Sequence, residues 1–319
     1  MKRILLSLLF VAVAVAIQAQ DAAGVLSLAR RVNDYFVAQN PDPTKPTFVK
    51  KKRTSNLWTR AVYYEGLMDL YSVDPDKRYL EYTDRWGVYH KWTARGSVDD
   101  TNADNQCCEQ TYIDRFAATG DSVMIAPTTE NLNHQMATGR KNYWWWIDAI
   151  QMAMPVYAKY AKISGDRHYL DYAMDCYRDA RDRRGLFNIA DGLWWRDSVY
   201  KAPYKEPDGK NCYWSRGNGW VYAALVRVMK TVDADDPYYK ELLKDYLLMT
   251  HALVKLQRRD GYWNASLVST NYAGPEMTGT ALFLYGMAWG VRNGILNAKE
   301  YRPVCDKAWK ALRGCVHAN

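Results

Sequence analysis

The sequence lacks the residue patterns that hold metal ions. Its 5 His residues are dispersed along the chain, and its 6 Cys residues show no metal-ligand spacing. We therefore expect no metal and no other cofactor. The Cys residues are expected to be buried thiols, with a disulfide between Cys305 and Cys315 as the less favoured alternative.

A concentrated basic surface is also missing. The 43 Lys and Arg residues exceed the 35 Asp and Glu residues, which gives a net charge of +8, yet the only dense basic run is residues 50–53. This excess suits an anionic ligand, although scattered surface Lys residues are the simpler explanation. Nucleic acid is therefore not an expected partner.

Long hydrophobic runs are absent after residue 20, where no stretch approaches the roughly 18 apolar residues of a membrane span. The N-terminus has Lys2 and Arg3, then an apolar run from Ile4 to Ile17, which is typical of a cleavable signal peptide over residues 1–20. We expect an exported protein, periplasmic or extracellular, with no membrane partner. A single domain is expected over residues 21–319.

Phenylalanine is scarce, with 6 residues against 13 Trp and 25 Tyr. Packing of a hydrophobic core alone would not favour Tyr over Phe so strongly. Trp and Tyr combine a flat apolar face with a polar edge, which suits stacking on sugar rings. The composition therefore favours a carbohydrate ligand.

Strand signals are few, and apolar spacing predicts a succession of helices. The predicted ranges are 22–38, 55–72, 77–93, 108–118, 121–137, 144–162, 167–182, 216–231, 238–256, 276–293 and 299–316. The helix at 299–316 is amphipathic, whereas the helix at 276–293 is apolar nearly all round and is expected to be buried on every face. Such alternation predicts two concentric layers of helices, as in an α/α barrel.

Asp148 follows three consecutive Trp residues, 144–146, in a predicted helix. An apolar stripe through Trp145, Ala149 and Met152 would leave Asp148 at its edge. A carboxyl group walled by Trp should have a raised pKa, which a general acid needs. An Asp stabilised near a helix N-terminus by the macrodipole explains the residue equally well.

Residues 213–220 place Arg216 and two Gly residues at the start of a buried helix, with Ser215 as a possible N-cap. Arg can bind a carboxylate through two hydrogen bonds, and the Gly residues weaken the helix without evident benefit to packing. We therefore favour a binding role over a capping turn. The acidic loop 99–106, which contains Asp104, could supply a second carboxylate opposite Asp148.

Taken in order, five motifs resemble glycoside hydrolase family 105, the unsaturated rhamnogalacturonyl hydrolases. They are Asn56-Leu57-Trp58-Thr59-Arg60, Asn102-Ala103-Asp104-Asn105-Gln106, Trp144-Trp145-Trp146-Ile147-Asp148, Trp214-Ser215-Arg216-Gly217-Asn218-Gly219-Trp220 and Glu276-Met277-Thr278-Gly279-Thr280. The resemblance implies an all-α (α/α)6 barrel whose last inner helix lies beyond Asn319, so we expect this chain to lack that helix. It also implies an acidic oligosaccharide substrate that carries a 4,5-unsaturated galacturonyl residue at its non-reducing end.

The resemblance further implies hydration of the vinyl ether double bond, with water as co-substrate. Asp148 matches the family's acid and base, and Trp146 matches the wall beside it. Asp104 matches the second active-site Asp. Arg216 and Trp220 match residues that contact the uronate.

We also expect two other residues to belong to the site. Trp58 lies in the first motif and is expected to contact the substrate, while Arg196 stands where some family members have an active-site His. Three alternatives stay open: the same chemistry on unsaturated glucuronyl units, a non-catalytic glycan-binding barrel, and an inverting glycosidase that uses Asp104 as its base.

Overall fold

The computed structural model describes residues 22–317. The predicted signal peptide over residues 1–20 lies outside this range. Within it, no helix has the length and apolar character needed to cross a membrane.

Helices dominate the described residues, and the predicted succession is confirmed with shifts at most boundaries. Helix α1 covers residues 22–39. The others are α2 (Trp58–Val73), α3 (Lys77–Tyr89), α4 (Ala103–Gln106), α5 (Glu109–Thr119), α6 (Ala126–Ala137), α7 (Asp148–Ser164), α8 (His168–Arg178), α9 (Ser215–Met229), α10 (Pro237–Leu256), α11 (Met277–Arg292) and α12 (Ala298–Arg313).

Strands between residues 22 and 317 form three short antiparallel ribbons in the connections between helices. Strand β1 (Thr47–Val49) pairs with β2 (Lys51–Arg53), β3 (Phe187–Asn188) with β4 (Leu193–Trp194), and β5 (Trp263–Asn264) with β6 (Pro275–Glu276). The ribbons brace loops, and β3, β4 and β5 also contribute Phe187, Leu193, Trp194 and Trp263 to the hydrophobic core.

The helices form the two layers that the sequence predicts. Helices α2, α5, α7, α9 and α11 pack side by side in that order, and α7 and α9 are buried along almost their whole length. Their starts lie together, since Trp58 of α2 contacts Trp220 of α9, and their ends do too, since Arg227 of α9 reaches Asp69 of α2. The inner helices therefore run parallel, and the outer helices return the chain between them.

The helix predicted at 276–293 departs from expectation, because α11 is not buried on every face. Met277 is 54 % exposed, and Ala281 and Ala288 are also exposed. The face of α11 that carries Gly286 and Gly290 packs closely against Tyr222 and Tyr246. No helix among residues 22–317 covers the opposite face, so its apolar side chains remain in contact with solvent.

The six Cys residues are free. Four of them are buried, as expected for structural thiols, while Cys212 is half-buried and Cys315 is exposed. The Cys305–Cys315 disulfide does not form. Cys315 instead lies 2.8 Å from the hydroxyl group of Tyr262.

A buried polar cluster joins the inner helices at the middle of the barrel. The Glu65 side chain of α2 is 2 % exposed and accepts hydrogen bonds from Gln110 of α5 (3.1 Å), Gln151 of α7 (2.9 Å) and the Cys107 thiol (3.2 Å). Arg227 of α9 lies 3.5 Å from its Oε2 atom. Burial raises the pKa of Glu65, and the charge of Arg227 opposes that rise. These contacts fix the spacing of four helices.

Replacing Glu65 by Gln tests how much this cluster stabilises the fold. The variant leaves the Arg227 charge without its buried partner, so we expect the free energy of unfolding to fall by about 3–5 kcal/mol. Asp69→Asn removes the other partner of Arg227, whose side chain is 46 % exposed, and should cost less than about 1 kcal/mol. Urea denaturation of both variants gives the comparison, and equal losses would contradict this view of the cluster.

Candidate active site

The predicted site residues lie at one end of the barrel, where the inner helices begin. Trp58 is the first residue of α2, Asp148 is the first residue of α7, and Asp104 lies in the short helix α4. Arg216 and Trp220 occupy the first two turns of α9. Helix N-termini point toward this end, which favours negative charge there.

Asp148 sits in a nearly dry environment. Its side chain is largely buried, and its Oδ2 atom has no hydrogen-bond partner among the described residues. Burial raises the pKa of Asp148 to about 6, while the positive charges of Arg196 and Arg216 oppose the rise. A carboxyl group with this pKa can carry a proton in weakly acidic solution and release it to a substrate.

Asp104 is the second carboxyl group of the pair. Burial raises its pKa to about 6, the charge of Asp148 adds to the rise, and Arg196 and Arg53 oppose it. The Asp104 amide donates to Asn102 Oδ1 at 2.9 Å, which caps α4 and holds the residue in place. Two carboxyl groups that feel each other's charge tend to share one proton.

Arg196 reaches the pair because its loop is fixed to the segment before α7. The Ile147 amide donates to the Arg196 carbonyl oxygen at 2.9 Å, and Trp146 forms an antiparallel bridge with Asp197. The Arg196 guanidinium donates to the carboxylate of Asp197, which is 4 % exposed. Main-chain pairing therefore places this charge beside Asp148.

Aromatic side chains form the walls of the site. Trp146 and Trp220 are buried, and the Trp58 ring meets the Trp220 ring edge to face with centroids 6.3 Å apart. The indole Nε1 of Trp220 is buried and has no acceptor among the described residues. A free donor on a ring wall suits a hydroxylated sugar.

Arg216 lies at the same end of the barrel, and its guanidinium group is only partly paired. Its guanidinium lies over the Trp214 ring, 4.3 Å from the centroid, and 3.8 Å from Glu276 Oε1. Glu276 also caps α11 by accepting from the Thr278 amide at 3.2 Å. Because Arg216 is 38 % exposed and only loosely paired, it can bind an anionic group of a ligand.

Two local predictions about this region are wrong. The three Trp residues do not open a helix, since α7 begins at Asp148 and residues 141–147 are not helical. Trp145 is 49 % exposed and belongs to no apolar stripe. Trp146 instead pairs with Asp197, a long-range contact that helical spacing does not reveal.

The first turn of α9 also differs from expectation. The N-cap is Trp214, and the Ser215 hydroxyl is buried without a partner among the described residues. The Gly residues do serve packing. A Cβ atom at Gly217 would lie 2.7 Å from the Trp214 ring and 2.9 Å from Ile147, so only Gly lets α9 approach the start of α7.

The structure adds two residues to the site. Arg53, at the end of β2, opposes the pKa rise of Asp104, and its Nε atom is buried without a partner in the described chain. It belongs to the dense basic run 50–53, for which the sequence predicted no role in the site. The second added residue is Asp197, a buried partner of Arg196. The only sequence signal for this role is its position directly after Trp195 and Arg196.

A cavity of about 960 Å³ lies between α1 and α3. Its lining includes Asn33, Tyr79 and Tyr82 but none of the predicted site residues. Across residues 22–317, no group of three or more His, Cys, Asp or Glu side chains could hold a metal ion.

A barrel of paired helices that brings two carboxyl groups of raised pKa together with Trp rings and Arg side chains suits a carbohydrate-active enzyme. The family model described as Glycosyl Hydrolase Family 88 matches residues 28–319. The chain therefore belongs to glycosyl hydrolase family 88 and is a glycoside hydrolase.

Individual relatives agree with this assignment. An unsaturated 3S-rhamnoglycuronyl hydrolase of Formosa agariphila is 30 % identical over 286 residues, which are 82 % of this chain and 74 % of the relative. A family 88 glycosyl hydrolase from Bacteroides vulgatus is 34 % identical, with a TM-score of 0.82 over 90 % of this chain and 84 % of that structure. A protein described as a polysaccharide lyase is 32 % identical, with a TM-score of 0.84 over 91 % and 83 %. The predicted (α/α)6 fold is confirmed.

Replacing Arg196 by Gln tests the electrostatics of the site. Arg196 stabilises the ionised forms of both carboxyl groups, so its loss should raise the pKa of Asp148 and of Asp104 above about 6. The measurement is a ¹³C NMR titration of the Asp carboxyl carbons. Arg31→Gln, a change to an exposed residue of α1, should leave both titrations in place. An unchanged or lower pKa of Asp148 in Arg196→Gln would refute the assignment.

Proposed function

We propose that the protein is an unsaturated glycuronyl hydrolase, which removes a 4,5-unsaturated uronyl residue from the non-reducing end of an acidic oligosaccharide. The observation that carries the proposal is the pair Asp148 and Asp104, both with a pKa of about 6, beside the guanidinium groups of Arg196 and Arg216. The carboxyl pair suits proton transfer, and the guanidinium groups suit the uronate. The similarity to the unsaturated 3S-rhamnoglycuronyl hydrolase of Formosa agariphila supports the same class.

The proposed reaction is hydration of the vinyl ether. Protonated Asp148 donates its proton to C4, and the carboxylate so formed takes a proton from the water that adds to C5. The product is a hemiketal at C5, which opens to a ketone and leaves a hemiacetal at C1. That hemiacetal releases the neighbouring sugar. Asp104 is placed to hold the water, and Arg216 to bind the uronate carboxylate.

Within this class, we propose unsaturated galacturonyl residues on rhamnogalacturonan fragments as the substrate. The resemblance of the five motifs to family 105 supports this narrower assignment. Unsaturated glucuronyl units linked to rhamnose are the alternative. The signal peptide predicted over residues 1–20 supports action outside the cytoplasm.

A second candidate function is polysaccharide lyase activity, favoured by the similar structure with that description. A lyase would create the 4,5-double bond that a hydrolase of the proposed kind consumes. The ultraviolet absorbance of that bond separates the two directly. Loss of absorbance from lyase-generated disaccharides supports the proposal, whereas a gain of absorbance from saturated polysaccharide indicates a lyase. No change with either sugar indicates a glycan-binding barrel.

Replacing Asp148 by Asn removes the proposed proton donor while keeping the shape of the side chain. We expect kcat for loss of the double bond to fall by about 10²- to 10⁴-fold. The matched control is Asp306→Asn, a change to an exposed residue of α12, which should retain wild-type turnover. Normal kcat in Asp148→Asn would exclude the proposed catalytic role.

Replacing Arg216 by Gln removes a charged donor to the uronate. Charge-assisted hydrogen bonds contribute about 1.5–3 kcal/mol, so KM should rise roughly 10- to 150-fold. Arg302→Gln on the exposed face of α12 serves as the control. If KM is unchanged in Arg216→Gln, another group binds the carboxylate.

A further inference from the structure

A separate cavity of about 330 Å³ lies next to the candidate active site. Arg196 belongs to both, since its charge acts on Asp148 and its side chain lines the cavity. Trp214 also joins them, because its ring lies under Arg216 and forms part of the cavity wall. The volume falls within the range of about 300–1,000 Å³ seen for small-molecule sites.

The cavity has walls that are fixed in the fold. Trp214 forms an antiparallel bridge with Ser266, and the Ser215 amide donates to the Ala265 carbonyl oxygen at 2.9 Å. On the other side, Asp208 accepts from the Thr270 amide at 3.0 Å and so ties two loops together. The cavity is therefore a built feature of these loops.

The lining combines aromatic rings with one buried carboxylate. Tyr200, Trp214 and Tyr272 offer ring faces, which suit a sugar. Glu206 is 5 % exposed, and its Oε1 atom accepts from the Ser266 hydroxyl at 2.9 Å. The remaining acceptor capacity of this carboxylate can bind sugar hydroxyl groups.

The charges around the cavity disfavour an anion. Burial and the neighbouring Glu206 raise the pKa of Cys212 to about 12, so this thiol stays neutral. Arg196, the cation of the lining, is already paired with the buried carboxylate of Asp197. An anionic substituent placed here would meet the negative charges of Glu206 and Asp197, against the single positive charge of Arg196 among the lining residues.

We propose that this cavity holds the sugar that leaves in the reaction, and that Glu206 selects a neutral, hydroxyl-bearing sugar over one with a sulfate or carboxylate group. The inference rests on the proposed function, since it places the unsaturated uronyl unit at Asp148 and the next sugar beside Arg196. Glu206 thereby restricts the substrate class to fragments whose second sugar is uncharged.

The test uses two unsaturated disaccharides that differ only by a sulfate ester on the leaving sugar. Wild-type enzyme should prefer the unsulfated disaccharide in kcat/KM by about tenfold or more, because like charges in a desolvated site repel each other. In Glu206→Gln, that preference should fall by about tenfold. Glu130→Gln on the exposed face of α6 should keep the wild-type preference. An unchanged preference in Glu206→Gln overturns the proposal.

A binding measurement separates failure of this inference from failure of the proposed function. Titration calorimetry of Asp148→Asn, with and without Glu206→Gln, gives the Kd ratio of the two disaccharides without requiring turnover. If neither disaccharide loses absorbance with wild-type enzyme, the proposed function fails, yet the Kd ratio still decides on Glu206. Equal ratios in the two proteins overturn the role of Glu206.

Tyr272→Ala provides a second variant that carries little risk to folding, since Tyr272 is 54 % exposed. Loss of a stacking face should raise the Kd of the unsulfated disaccharide several-fold. An unchanged Kd would remove the cavity from the substrate path.

Discussion

Glu65 is buried where the inner helices meet, and its carboxylate is held there by hydrogen bonds from α5 and α7 and by the charge of Arg227 on α9. A buried charge that loses its partners is strongly destabilising, so these helices can shift relative to one another only at high cost. Asp148 and Arg216 lie at the starts of α7 and α9, and Asp104 lies in α4, directly before α5. The geometry of the site therefore depends on a contact located away from it.

The site itself balances two opposing effects on its acids. Burial favours the protonated forms of Asp148 and Asp104, while Arg196 favours the ionised forms. The result is a pKa of about 6 for both groups. A group whose pKa lies near the working pH can donate a proton and later accept one. Without Arg196 both acids would shift toward the protonated form, and without burial both would shift toward the ionised form.

The spacing of apolar residues predicted the helices and their two layers. A helix buried on one face has apolar residues at regular intervals, and a helix buried on every face is apolar throughout. The sequence also drew attention to Asp148 and Arg216. It could not predict that Trp146 pairs with Asp197, or that Gly217 clears space for Ile147, since both depend on contacts between distant segments. The role of Arg53 beside Asp104 was missed for the same reason.

The segment between β4 and α9 contains both Arg196 and Glu206, whereas the cluster around Glu65 is formed by side chains of the inner helices and by Cys107 of the short connection before α5. Arg196, which lowers the pKa of the two acids, and Glu206, which recognises the leaving sugar, thus lie in one connecting segment. This segment contributes little to the layer of inner helices. Evolution can diversify the sugars that such a barrel accepts by altering this segment, while the scaffold and its acid pair are inherited unchanged.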